Sequence, residues 1–268
     1  MPDPTHGRTA GPFAVMAGSG FSDFASLSPG RLIVTAYGAP SAPVREIEFS
    51  GRRIWFLPRH GDRHDIPPHR INYRANLAAL KLLGVRNVLA LNTVGVIAPG
   101  LGPGQLAVPN QLIDYTHGRD HSIYDDSSAS LDHIDFTDPF SEALRRQILG
   151  AARAADVPCH DGGVYAVTQG PRLETAAEID RLERDGADFI GMTAMPEAAI
   201  ARELQMNYAC LSLIVNFGAG RGAKGIHDDI EASLLEAKTR ALRLMQQLFN
   251  GPSHGSDGGR RDRVGRRH

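Results

Sequence analysis

Two cysteines in 268 residues, Cys159 and Cys210, cannot build a disulfide framework, and neither sits in a metal-ligand spacing. The N-terminal run MPDPTHGRTAGPF has no charged region followed by an apolar one. Both features lead us to expect a reduced, cytoplasmic compartment. An excess of one charge sign is also missing. Lys plus Arg number 29 and Asp plus Glu 30, a net charge of −1, so neither nucleic acid nor a membrane surface is an expected partner. No apolar run reaches the roughly 18 residues that a transmembrane helix needs.

What is present is a chain long enough for one large domain, with no internal repeat. Strand-like runs alternate with helical patterns from Ile54 to Val215, which predicts a single α/β domain around a central mixed, largely parallel sheet. Expected boundaries are a flexible N-terminus (1–11), one domain (12–250) and a disordered, Arg-rich tail (251–268).

Predicted strands are 13–17, 32–34, 44–49, 54–57, 87–91, 106–108, 111–114, 164–167, 187–191 and 208–215. Ser50-Gly51-Arg52 reads as a hairpin turn. Predicted helices begin near Pro67 (apolar face Ile71, Ala75, Ala78, Leu82), Asp138 (Phe140, Leu144, Ile148, Ala151), Glu174 (Ala177, Leu182, Ala187) and residue 228 (Ile230, Leu234, Ala237, Ala241, Leu244, Leu248). Gly84 and Gly186 read as stops.

Polar groups collect where strands end. Ser19, in Gly18-Ser19-Gly20, could bring a hydroxyl and backbone amides to an anion, or form a plain turn. In Pro58-Arg59-His60-Gly61, Arg59 offers a bidentate fork and His60 a further donor, as phosphate recognition requires; the alternative is a solvated basic loop. Asn92-Thr93-Val94-Gly95 and Asn216-Phe217-Gly218 are two more polar strand ends. Residues 166–197 hold the densest group: Glu174 after a Gln169-Gly170-Pro171 turn, then Met192 and Thr193 at the end of an apolar run. In open α/β sheets ligands bind beyond the carboxyl ends of strands, although an ordinary strand–turn–helix edge would look the same. The irregular stretch 115–137 carries Tyr115, His117, His121 and His133 in no zinc-like spacing.

GPRLET followed by GADFIGMTAMPE resembles the signature of the trimeric purine nucleoside phosphorylase and methylthioadenosine phosphorylase family. AGSGF, PRHG, NTVG, HIDFTDPF and SLIVNFGAG extend the likeness, in order, from Met16 to about residue 230. The resemblance implies a distorted, barrel-like mixed sheet, a homotrimer, and reversible phosphorolysis of a purine nucleoside in purine salvage. No metal and no cofactor would be needed, inorganic phosphate being a co-substrate. By similarity, phosphate would be held by Ser19, Arg59, His60, Asn92, Thr93 and Thr193, with His60 and Asn216 closest to the chemistry. Met192 would lie against the ribose, and Glu174, Asn216, Phe217 and Gly218 against the base. The 5′ substituent would face His133 and the segment around Asp228.

Base choice follows from hydrogen-bond chemistry. Methylthioadenosine phosphorylases carry two aspartates after the last strand; here Asn216 and Gly218 stand there. Glu174 matches the base-binding glutamate of the 6-oxopurine branch. A carboxylate accepts from N1–H, and an amide can donate to O6. The runs SIYDD and HIDFTDPF, by contrast, resemble the methylthioadenosine branch. The combination implies S-methyl-5′-thioinosine as substrate. Alternatives are a general inosine/guanosine phosphorylase, a methylthioadenosine phosphorylase with altered base contacts, and a non-catalytic nucleoside-binding module.

Overall fold

The computed structural model describes residues 9, 11–21, 23–24, 28–124, 131–222 and 230–250. The expected tail and most of the expected flexible N-terminus lie outside these residues, as does Asp228. The fold is one α/β domain with an 11-stranded mixed sheet and five α-helices.

Two apolar strands set its centre. β1 (Phe13–Ala17) is buried at every position, and nine of the ten residues of β5 (Asn87–Val96) are buried, the pattern of strands covered on both faces. They run parallel, pairing Phe13 with Asn87 through Ala17 with Leu91. Beyond β1 lie β4 (Arg52–Pro58), β3 (Val44–Phe49) and β2 (Gly30–Arg31). Phe49 pairs with Arg52, so the β3–β4 hairpin turns on Ser50 and Gly51, both at positive φ (51° and 75°).

The sequence reading ends the strand at Leu91, but β5 continues to Val96. Its other neighbour, β11 (Asn207–Phe217), pairs with it all the way from Asn87 to Val96 and keeps it extended. On the β1 side, β1 stops at Ala17; only at Gly95 and Val96 does a new neighbour, the antiparallel β10 (Phe189–Gly191), take its place. Between these pairings, Asn92, Thr93 and Val94 have no strand partner on that edge. The sheet divides there, which opens a crevice at a switch in strand order. β10 leads on to β9 (Val164–Val167) and β7 (Gln111–Asp114), while β11 leads to β6 (Leu106–Val108) and β8 (Cys159–Asp161).

Several expectations are corrected. Residues 32–34 form no strand: Leu32 and Val34 point into solvent, at 66% and 71% exposure. α1 (Tyr73–Leu82) starts later than Pro67, because Asn72 caps it by accepting from the Ala75 N–H. Its buried face is Tyr73, Leu77 and Leu80, and Leu82 is exposed. α2 (Glu142–Ala154) is capped by Ser141 rather than Asp138. α3 (Ala176–Arg184) starts at a capping box between Thr175 and Glu178, which leaves Glu174 just outside the helix. Ile179 and Leu182 face the core from α3, and Ala177 is exposed. α4 (Ala194–Glu203) follows β10 directly, and α5 (Ile230–Phe249) packs Ala237, Ala241, Leu244 and Leu248 inward as expected.

Candidate active site

The crevice where the sheet divides is a cavity of about 460 Å³. Nine predicted site residues line it: Ser19, Arg59, His60, Asn92, Thr93, Glu174, Met192, Thr193 and Asn216. They come from the ends of β1, β4 and β10, from β5 and β11, and from the turn before α3. Its apolar lining includes Ile66, Ile190, Val215, Ile230 and Leu234. Phe217 and Gly218 are not among the lining residues: Phe217 is 40% exposed, and a side-chain carbon on Gly218 would contact Ile179. His133 is exposed and away from the cavity in its own chain.

Arg59 is 1% exposed. Its Nε and Nη2 donate to the two carboxylate oxygens of Glu197 at 2.6 and 2.8 Å, and its Nη1 donates to the Leu91 carbonyl at 3.1 Å. Glu197, fully buried, also accepts from the Tyr208 hydroxyl at 2.9 Å. The bidentate fork expected for phosphate is therefore directed at Glu197, and an anion would meet the Nη1 edge, which lies beside Gly18 at the cavity wall. Burial alone would lower the Arg59 pKa, but the Glu197 carboxylate outweighs it and holds the guanidinium charged.

His60 differs from the expected donor. Its Nδ1 lies 2.8 Å from the Ile66 carbonyl oxygen, so Nδ1 carries the hydrogen. In the neutral ring Nε2 is then an acceptor, and it sits beside Gly18. Burial, with Arg59 and His64 adding to it against the Ile66 bond, lowers the His60 pKa to about 4. Burial also lowers that of His64, whose ring centroid lies 4.5 Å from that of His60.

Both rings are harder to protonate in the fold than in the unfolded chain, where a histidine titrates near 6.5. The His60 contribution to stability is present above about pH 6.5 and is lost as pH falls toward 4; the His64 contribution is likewise lost on acidification. His60→Asn should flatten the loss of thermal stability between pH 6.5 and 4, read by calorimetry. An unchanged acid slope would remove His60 as its source.

Thr193 (7% exposed) accepts from the Asn92 Nδ2 at 2.8 Å. The Thr193 hydroxyl hydrogen then has two acceptors to choose between, the buried Tyr165 hydroxyl beside it and an anion in the cavity. Ser19 Oγ is 3.3 Å from His64 Nε2. On the opposite side, Glu174 Oε1 accepts from the Thr168 hydroxyl at 2.7 Å, which holds the carboxyl group and leaves Oε2 available to a ligand. Asn216 Nδ2 donates to the Phe217 carbonyl at 2.7 Å and keeps a second N–H to give. A turn between these walls brings Gly170 against Met192: a Cβ there would be 2.5 Å from the sulfur, and the φ is 60°. A side chain there would be strained and would displace Met192.

Sequence reasoning missed His64, Glu197, Ile230 and Leu234. His64 lies four residues beyond His60 in the same loop, but Glu197 is 138 residues from Arg59 and carries no local signal. Ile230 and Leu234 belong to the apolar face predicted for α5, and at its start they face the cavity, half-buried. Among the described residues, no group of three or more His, Cys, Asp or Glu is placed to hold a metal ion, and no helix is long and apolar enough to cross a membrane.

Comparisons with known proteins agree on the lineage. A profile of the phosphorylase superfamily matches residues 12–250. A probable S-methyl-5′-thioinosine phosphorylase of Pseudomonas syringae pv. tomato is 50% identical over 241 residues, covering 89% of this chain and 98% of that protein. The 6-oxopurine nucleoside phosphorylase of Pyrococcus furiosus is 38% identical over 235 residues, covering 85% and 88%. Among solved structures, the methylthioadenosine phosphorylase of Schistosoma mansoni in complex with tubercidin superposes with a TM-score of 0.81 at 29% identity, over 89% of this chain and 90% of that one. The divided sheet, the anion-suited crevice and this sequence kinship lead to one assignment: the chain belongs to the phosphorylase superfamily.

Proposed function

We propose that this chain is a purine nucleoside phosphorylase that cleaves 6-oxopurine nucleosides, with S-methyl-5′-thioinosine as its preferred substrate. The observation that carries the base assignment is that Glu174 and Asn216 both line the cavity, each with a group left to offer a ligand. Glu174 Oε2 accepts from N1–H, and the free Asn216 N–H donates to O6 or N7. Adenine would present a bare N1 to the carboxylate, leaving buried polar groups unpaired at about 1–3 kcal/mol each. The names of the relatives in Pseudomonas syringae and Pyrococcus furiosus support the same base class. The sugar assignment rests on apolar groups: Ile66, Ile230 and Leu234 suit a methylthio substituent better than a hydroxyl.

In this reading Ser19, Arg59 Nη1, Thr193 and the Asn92-Thr93 backbone hold phosphate, and Met192 lies against the ribose. The C1′–N9 bond breaks with its electron pair leaving on the purine. A phosphate oxygen forms the new bond to C1′, and the phosphate proton passes to the base. The cationic ribose is stabilised by the adjacent anion, and the anionic purine by Asn216. His60 Nε2 accepts a hydrogen bond from phosphate that still carries its proton. Products are hypoxanthine and 5-methylthioribose 1-phosphate. A homotrimer, in which His133 reaches a neighbour's cavity, a cytoplasmic setting and a role in purine salvage belong to the same proposal.

The test is base release from methylthioinosine with and without phosphate. Release only with phosphate is expected. Release without it would mean a hydrolase, and binding without release would mean a nucleoside-binding module.

A further inference from the structure

Arg119 lies outside the cavity yet is 8% exposed, in the irregular stretch after β7. Three other buried arginines each hold a carboxylate: Arg45 with Asp62, Arg59 with Glu197, and Arg145 with Glu142 and Asp161. Arg119 has no carboxylate within ion-pair distance among the described residues. A buried cation with no directly paired carboxylate is costly, and burial lowers its pKa although the Asp114 charge acts against that shift. Such a group persists only where its donors are used in full.

They are used on two segments. Nη2 donates to the carbonyls of Thr168 and Gln169 at 3.2 and 2.8 Å, and Nε donates to the Gln169 side-chain oxygen at 3.2 Å. Nη1 donates to the carbonyls of Met192 and Met195 at 2.9 and 2.6 Å, and to the Tyr73 hydroxyl at 3.2 Å. The first segment leads directly into Gly170 and Glu174; the second brackets Thr193 and carries Met192. One planar guanidinium thus spans the base-side wall and the ribose-side wall, where a Cβ on Gly170 would run into the Met192 sulfur. Gln169 completes the tie by accepting from the His117 backbone N–H at 3.1 Å.

We infer that Arg119 is a positioning residue that fixes the separation between the Thr168–Glu174 and Met192–Met195 walls and so sets the fit of the nucleoside between Glu174, Met192 and Asn216. The inference rests on the nucleoside phosphorylase reading. Of the phosphate groups, Thr193 lies on a tied segment, Asn92 donates to it, and Arg59 is held by Glu197 on the helix that follows; Ser19 and His60 follow β1 and β4, away from the tie.

The test uses the full-length chain with Arg119→Gln and Arg119→Lys, measuring kcat and both KM values with thermal melting alongside. Misplacing a wall by a fraction of an ångström should raise the nucleoside KM by about tenfold or more, while the phosphate KM moves by about threefold at most. Arg119→Lys keeps the charge but cannot reach both walls, so it should fall with Arg119→Gln. Arg119→Ala supplemented with methylguanidine should regain nucleoside kcat/KM. Nucleoside and phosphate KM values that rise together, losses that follow only the folded fraction, or a Lys variant equal to wild type would overturn the inference. A wild-type enzyme that releases no base from any purine nucleoside would instead overturn the functional reading.

Discussion

Arg59→Ala should both unfold the protein more easily and abolish its use of phosphate at ordinary concentrations. Glu197 is fully buried, and after the substitution only the Tyr208 hydroxyl would face its carboxylate. Removing one partner of a buried pair costs about 3–5 kcal/mol, because the other charge is left uncompensated. The catalytic loss has a separate origin, the missing Nη1 donor at the anion site. The double substitution Arg59→Met/Glu197→Met distinguishes the two. Replacing a buried pair by apolar groups of similar volume is often neutral or stabilising, so the double variant should melt near wild type while remaining unable to use phosphate. Denaturation midpoints and phosphate saturation curves on the same preparations read both effects. Wild-type phosphate dependence in the double variant would remove Arg59 from the anion site.

Glu174→Ala should cost methylthioinosine turnover about two decades in kcat/KM, since a charge-assisted hydrogen bond to N1–H contributes about 1.5–3 kcal/mol. Methylthioadenosine, which has no N1–H, should lose far less. Asn216→Asp should move the preference in the opposite direction. A carboxylate accepts from the 6-amino group of adenine but repels O6 of hypoxanthine. Parallel losses on both substrates in Glu174→Ala would show that the residue supports the wall and does not read the base. The Thr168 hydroxyl bond provides an internal check: Thr168→Val should loosen Glu174 and reproduce a smaller part of the same selectivity change.

The legible part of the site is the part encoded in consecutive residues. Thr168 through Pro171, Met192-Thr193 and Arg59-His60 could be placed at strand ends because a short apolar run followed by Gly, Pro or a polar pair has few alternatives. The same reasoning cut β5 short at Leu91, since Asn92 and Thr93 look like a strand end locally. They stay extended only because β11 continues beside them, and that partner is more than a hundred residues away. Distance also hid the Arg59–Glu197 pair and the reach of Arg119 to the Met195 carbonyl. Ile230 and Leu234 fit the apolar face of α5, and periodicity cannot tell a residue that fills the core from one that lines a cavity beside it. The hydrogen on His60 is not legible locally, because the Ile66 carbonyl that takes its Nδ1–H is supplied by the turn of the loop, six residues on.

The most direct measurement is a competition in one vessel. Equimolar S-methyl-5′-thioinosine and methylthioadenosine, with phosphate in excess, are offered to the wild-type protein, and released hypoxanthine and adenine are quantified together. The ratio of the two initial rates is the ratio of kcat/KM values, independent of how much enzyme is active. Mismatched polar groups at Glu174 and Asn216 predict hypoxanthine ahead by about two decades or more. Adenine released as fast as hypoxanthine, or faster, would contradict the assignment of Glu174 and Asn216 as a 6-oxopurine site.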